Sequence, residues 1–98
     1  MLTTIQNAIH NCHRLQVSYE PGSRVIEPHA VGYGSDGQLL LRAFQVSGVS
    51  ASGEHHDWKL LRLDKLMSAN NNGQVFDGPR PGYRKGDKAM KGGIIAEL

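Results

Sequence analysis

Ninety-eight residues, 39% hydrophobic and 20% charged, suffice for one small core, are too few for two, and lack the bias of a disordered chain. A single cysteine, Cys12, excludes an intrachain disulfide, no apolar run nears the roughly 18 residues of a membrane span, and the amino terminus lacks the basic and apolar regions of a secretory leader, so a soluble cytoplasmic domain is expected. The net charge of +2 is uneven: residues 79–98 carry five cations against two carboxylates, and residues 1–78 carry six against seven, so general attraction for polyanions would come from the carboxy-terminal end.

Leu2, Ile5, Ile9 and Cys12, with Ala8 between, fall at helical spacing behind Thr3 and Thr4, which can cap an amino terminus. One short amphipathic helix is predicted here, with Leu2, Ile5 and Ile9 buried. From Leu15 the period changes to two, Leu15, Val17 and Tyr19 alternating with Gln16 and Ser18, and Glu20-Pro21-Gly22-Ser23 is a turn by composition. Arg24–Glu27 restarts a strand, and Pro28 belongs at an edge or bend because it cannot donate to a ladder. Gly34-Ser35-Asp36-Gly37 is the strongest hairpin signal. Gln38–Val46 is a largely apolar strand, Ser47–Asp57 a flexible loop, and Trp58–Leu63 a further strand. Leu66-Met67 begins a last one that Asn70-Asn71-Asn72-Gly73 should break.

The expectation is a mostly β domain over residues 1–78: one amino-terminal helix capping a small, bent sheet or partly open barrel of about five strands. Residues 79–98 read as a basic, Gly/Pro-rich tail, solvated by default, or else an arm that orders on a nucleic-acid backbone or a partner; Ile94-Ile95 could anchor it. So small a core also favours self-association.

Four segments in order resemble the WYL family. The helix ending in Ile5 to Ile9 and followed by Val17-Ser18-Tyr19 is similar to the family's opening helix and strand, and Arg24-Val25-Ile26-Glu27-Pro28 to its second strand. Gly37–Phe44 occupies the segment that carries the name-giving Trp-Tyr-Leu, which here reads Leu39-Leu40-Leu41. Lys59-Leu60-Leu61-Arg62-Leu63-Asp64-Lys65-Leu66 resembles the closing element, with lysines at its two outer arginine positions. The resemblance covers roughly residues 2–68. It implies an Sm-like barrel that senses a nucleotide or short single-stranded nucleic acid and modulates a regulatory protein partner, as in transcriptional regulation.

The candidate ligand-binding cations are Arg24, Arg42, Lys59, Arg62 and Lys65, all on predicted strands or at their ends. Arginine donors in a groove suit phosphate oxygens, whereas the bland alternative is surface pairing or snorkelling. Strand alternation puts Trp58, Leu60 and Arg62 on one face and Lys59, Leu61 and Leu63 on the other. Tyr33 and Trp58 are candidates for stacking on bases. His10, Cys12 and His13, like His55-His56-Asp57, lack the further ligands that a metal site needs. No nucleophile elbow, phosphate-cradling loop or close carboxylate pair appears, so neither catalysis nor a cofactor is expected. The rival reading is an interaction or oligomerisation adaptor that binds no nucleic acid.

Overall fold

The computed structural model describes all 98 residues, and its amino-terminal stripe is helical: α1 spans Leu2–Asn11. Ile5, Ala8 and Ile9 are buried, while Leu2 is only half-buried. The capping expectation fails. Met1 occupies the N-cap without a side-chain bond, and Thr3 and Thr4 lie inside the first turn. Cys12 ends the helix in the left-handed region at φ 51°, its amide reaching the Ala8 and Ile9 carbonyls.

Six strands follow: β1 (His13–Tyr19), β2 (Gly22–Tyr33), β3 (Leu39–Gly48), β4 (Asp57–Arg62), β5 (Ser68–Val75) and β6 (Gly93–Glu97). Glu20-Pro21 joins β1 to β2, whose register begins at the Tyr19–Gly22 pair. The Gly34–Gln38 turn joins β2 to β3, with Gly34 N–H donating to the Gln38 carbonyl at 2.8 Å. A single 3-10 turn, Leu63–Lys65, leads from β4 towards β5.

Two expectations need correction. The Asn70–Gly73 segment does not break its strand. β5 stays paired with β1 and takes up the irregularity as a bulge, with the Asn71 and Asn72 carboxamides accepting from the Gly73 and Gln74 amides at 2.8 and 3.0 Å. The strand count is six rather than about five, because residues 93–97, inside the stretch read as a solvated tail, pair with β2.

All pairings are antiparallel, in the order β4-β3-β2-β1-β5, and the sheet is bent without closing. The long β2 is shared. Its first half pairs with β1 through Ile26 and its second half with β6 from Ala30. Pro28 sits in the gap between those partners, at a bulge against β3, where its missing N–H costs no ladder bond.

The inner face packs on α1. Ile5, Ala8 and Ile9 meet Leu15, Val17, Ile26, Val31, Leu41, Ala43, Leu61, Leu63, Leu66 and Ala96 in one continuous core. A second, smaller core lies on the outer face, where Met90 covers Ala30 and Leu40 beside Tyr83 and Ala89. The strand β3 is apolar at successive positions because both faces of the sheet are covered. No helix is long and apolar enough to cross a membrane.

Candidate anion-binding groove

Strand register builds the outer face in three rows. Glu27, Phe44 and Trp58 form the first, Ala30, Arg42 and Leu60 the second, and Gly32, Leu40 and Arg62 the third. A bulge at Pro28–Ala30 adds His29 to this surface. Residues 76–92 lie across these rows as an irregular strap without a ladder, tied by one backbone bond at each end, Phe76 N–H to the Cys12 carbonyl and Gly92 N–H to the Tyr33 carbonyl, and by side chains between.

The strongest anchor is Glu27, 1% exposed. Its carboxylate accepts from Arg80 Nε at 2.7 Å and Nη2 at 3.1 Å, and from Arg14 Nε at 3.0 Å. Burial pushes this carboxyl upwards, but the hydrogen bonds and charges of Arg80 and Arg14 outweigh burial and hold it below the ordinary glutamate value. The Arg80 guanidinium also lies over the Phe44 ring, 4.6 Å from its centroid. Trp58 Nε1–H donates to the Pro81 carbonyl at 3.1 Å, and Gly82 lets the chain pass so close, since a Cβ there would stand 3.2 Å from that nitrogen. Arg42 donates to both oxygens of Asp87, at 2.7 and 3.3 Å. The Arg42 hydrogen bond, opposed by burial, keeps the Asp87 carboxyl below the ordinary aspartate value.

Between strap and sheet lies a groove of about 550 Å³, lined by Arg42 and Trp58 from the sheet and by Gly82–Lys88 from the strap. The ion pairs of the structure are Arg14–Glu27, Arg80–Glu27, Arg42–Asp87 and Arg62–Asp64. Arg84, Lys85 and Lys88 therefore line the groove without a carboxylate partner. Four cations face one carboxylate in this groove, beside the near-parallel rings of Trp58 and Tyr83, 6.4 Å apart. Such an arrangement offers phosphate oxygens several donors and a planar base an apolar edge.

The cations singled out in the sequence do not converge. Arg42 and Trp58 reach this groove. Arg24 points to the inner side, 3% exposed, donating to the Tyr19 and Glu20 carbonyls and to Gln45 Oε1 while lying over the Tyr19 ring. Its guanidinium thereby pins the β1–β2 turn. Arg62 shares the outer face but forks onto Asp64 at 3.2 and 2.8 Å. Lys59 projects from the other face and donates to Ser50 and Ser52 of the 49–56 loop. Lys65 is exposed on the 3-10 turn, and Tyr33 is exposed at the end of β2. Tyr83, Arg84, Lys85 and Lys88 also line the groove, and the only signal for them in the sequence is the basic, Gly/Pro-rich character of residues 79–98.

No group of three or more His, Cys, Asp or Glu side chains comes together as a metal site. No family model, curated protein or solved structure matches this chain.

Proposed function

We propose that this chain is a non-catalytic sensing module that binds a nucleotide or a short single-stranded nucleic acid in the strap groove and thereby modulates a regulatory protein. The observation that carries this reading is the concentration of Arg84, Lys85 and Lys88, free of carboxylates, around Arg42 and beside the Trp58 and Tyr83 rings. The rest of the molecule, at net −1 over residues 1–78, gives a polyanion little reason to bind elsewhere. The finer fold reading, an Sm-like barrel of the WYL type, is supported by three features: the amino-terminal helix, the order β4-β3-β2-β1-β5, and the short turn between the two edge strands. The strap is an addition to that frame, and it moves the proposed site away from Arg24 and Arg62.

Anisotropy of a labelled oligothymidylate, followed as salt is raised, tests the proposal. Neutralising about three phosphates on a single strand gives a slope of log K against log salt near −2. Replacing Arg84, Lys85 and Lys88 together by alanine should weaken binding at least about tenfold and flatten that slope. Unchanged affinity in the folded triple variant would remove the reading.

A second reading, an oligomerising adaptor, is favoured by Met67, just before the edge strand β5, and Val75, its last residue, 64% and 65% exposed. Sedimentation tests it, because a concentration-dependent dimer lost on Val75→Lys would support an adaptor.

A further inference from the structure

The His29 side chain is wholly buried, and both ring nitrogens are engaged. The Arg80 backbone N–H donates to Nε2 at 3.1 Å, so Nε2 must be unprotonated. The proton then sits on Nδ1, which donates to the Glu27 carbonyl at 2.8 Å. Three rings enclose the imidazole: Trp58 edge-on at 4.7 Å, Phe76 stacked at 5.6 Å and Tyr83 tilted at 5.2 Å. Phe76 and Tyr83, like Arg80, belong to the strap. A second proton could go only to Nε2, where it would meet the Arg80 N–H head-on. We propose that His29 is a proton-operated latch: neutral, it holds the strap over the sheet and keeps the groove assembled, and protonated, it releases the strap.

The charged groups around the ring do not relieve that conflict. From β2 comes the Glu27 carboxylate, which favours a charged ring but already accepts three guanidinium N–H bonds. From the strap comes the Arg80 guanidinium, which disfavours it, with Asp77 acting on Arg80. From β1 comes Arg14, bound to the same Glu27 carboxylate. The carboxy-terminal end contributes the Leu98 amide to the His29 carbonyl, and β4 contributes only the Trp58 ring. Burial accordingly holds the ring below the ordinary histidine value. The sign follows. With the strap open the ring regains an ordinary value near 6.5, so docking is fully favoured above that pH and weakens as pH falls below it, by up to about tenfold per pH unit.

The latch concerns the free protein; only its effect on ligand rests on the groove reading. Trp58 is the single tryptophan and bonds the strap at Pro81, so its emission reports docking without any ligand. Between about pH 7.5 and 5 the parent should show one emission transition while its β-sheet circular dichroism is retained. His29→Gln keeps an acceptor for Arg80 and cannot charge, so it should lose the transition. His56→Gln should keep it, although His56 touches Phe44 beside Trp58. A flat parent profile, or a transition surviving in folded His29→Gln, overturns the latch. If that variant does not fold, exchange in the parent decides. The Arg80 amide should lose its protection factor over this range while Leu41 keeps its own, and equal retention overturns the proposal. Oligothymidylate, whose phosphodiesters do not titrate here, should bind several-fold more weakly at the acid end. A general gain of positive charge in acid would strengthen binding to a polyanion, so the direction separates the two effects. A latch transition without any oligonucleotide binding at neutral pH would refute the groove reading and leave the latch standing; binding without the transition would do the reverse.

Discussion

Replacing Glu27 by glutamine should loosen this molecule more than any surface change, because one buried carboxylate joins β1, β2 and the strap. Its oxygens accept at 3.0, 2.7 and 3.1 Å from two arginines, and glutamine keeps the shape while removing the charge. Removing one partner of a buried ion pair costs about 3–5 kcal/mol. Here the Arg14 and Arg80 side chains are 28% and 31% exposed, so both guanidiniums can recover water, and the low end, about 3 kcal/mol, applies. In a domain of this size that is a fall in melting temperature of about 12 °C or more. Urea unfolding followed by Trp58 emission and far-ultraviolet circular dichroism measures the effect. The emission midpoint should move at least as far as the dichroism midpoint, because the strap fails first. Combining Glu27→Gln with Arg80→Ala should cost at least about 1 kcal/mol less than the two single changes added together. A loss below about 1 kcal/mol for Glu27→Gln, or strict additivity, would show that this network does not hold the strap.

Gly32→Ala should detach β6 and the strap at a cost of about 1–3 kcal/mol. A Cβ there would stand 2.5 Å from the Gly93 carbonyl oxygen and 3.1 Å from Met90 Sδ, and hydrogen exchange across residues 93–97 would register the loss. Arg62→Ala and Lys59→Ala should each leave oligonucleotide affinity within about twofold, since a surface pair contributes little and neither residue lines the groove. Acid should act in two windows. Emission should change first, below the ordinary histidine value, and global unfolding should follow only below the ordinary carboxylate range. Glu27 and Asp87 are held below their ordinary values, so the stability they contribute is present above that range and is lost as pH falls through the depressed values. Thermal melts at stepped pH check that order.

Much of the first half of the chain was legible because local signals and burial agree there. The stripe of Ile5, Ala8 and Ile9, the alternation of Leu15 and Val17, and the turn at Gly34–Gly37 each point to the element that forms. The alternation on β4 was also readable, and it separated Lys59 from Arg62 correctly. The strap was not. Residues 76–92 have no periodicity, and their anchors are single residues (Phe76, Arg80, Tyr83, Asp87 and Met90) that dock onto partners far away in sequence. A Gly/Pro-rich basic run therefore reads as solvated until the outer sheet face is known. Two indirect signs were available. Except at Arg42, Leu39–Phe44 is apolar on both faces, which asks for cover on both sides. Glu27 ends the predicted Arg24–Glu27 strand, and a carboxylate that becomes buried there needs a cation from somewhere. The ligand candidates shifted for the same reason: Arg24 and Arg62 are occupied mainly by neighbours close in sequence, whereas the groove's cations without a carboxylate partner, Arg84, Lys85 and Lys88, sit on the strap.

Mapping amide and indole shifts in a heteronuclear NMR titration with oligothymidylate locates the binding site residue by residue. Binding in the strap groove should give saturable, salt-sensitive changes concentrated at Gly82–Lys88, the Trp58 indole N–H and the Arg42 side chain, with Arg24, Arg62 and Lys65 unmoved. Changes centred on Arg62 and Lys65, or a spectrum unaltered at saturating oligonucleotide and low salt, would contradict it.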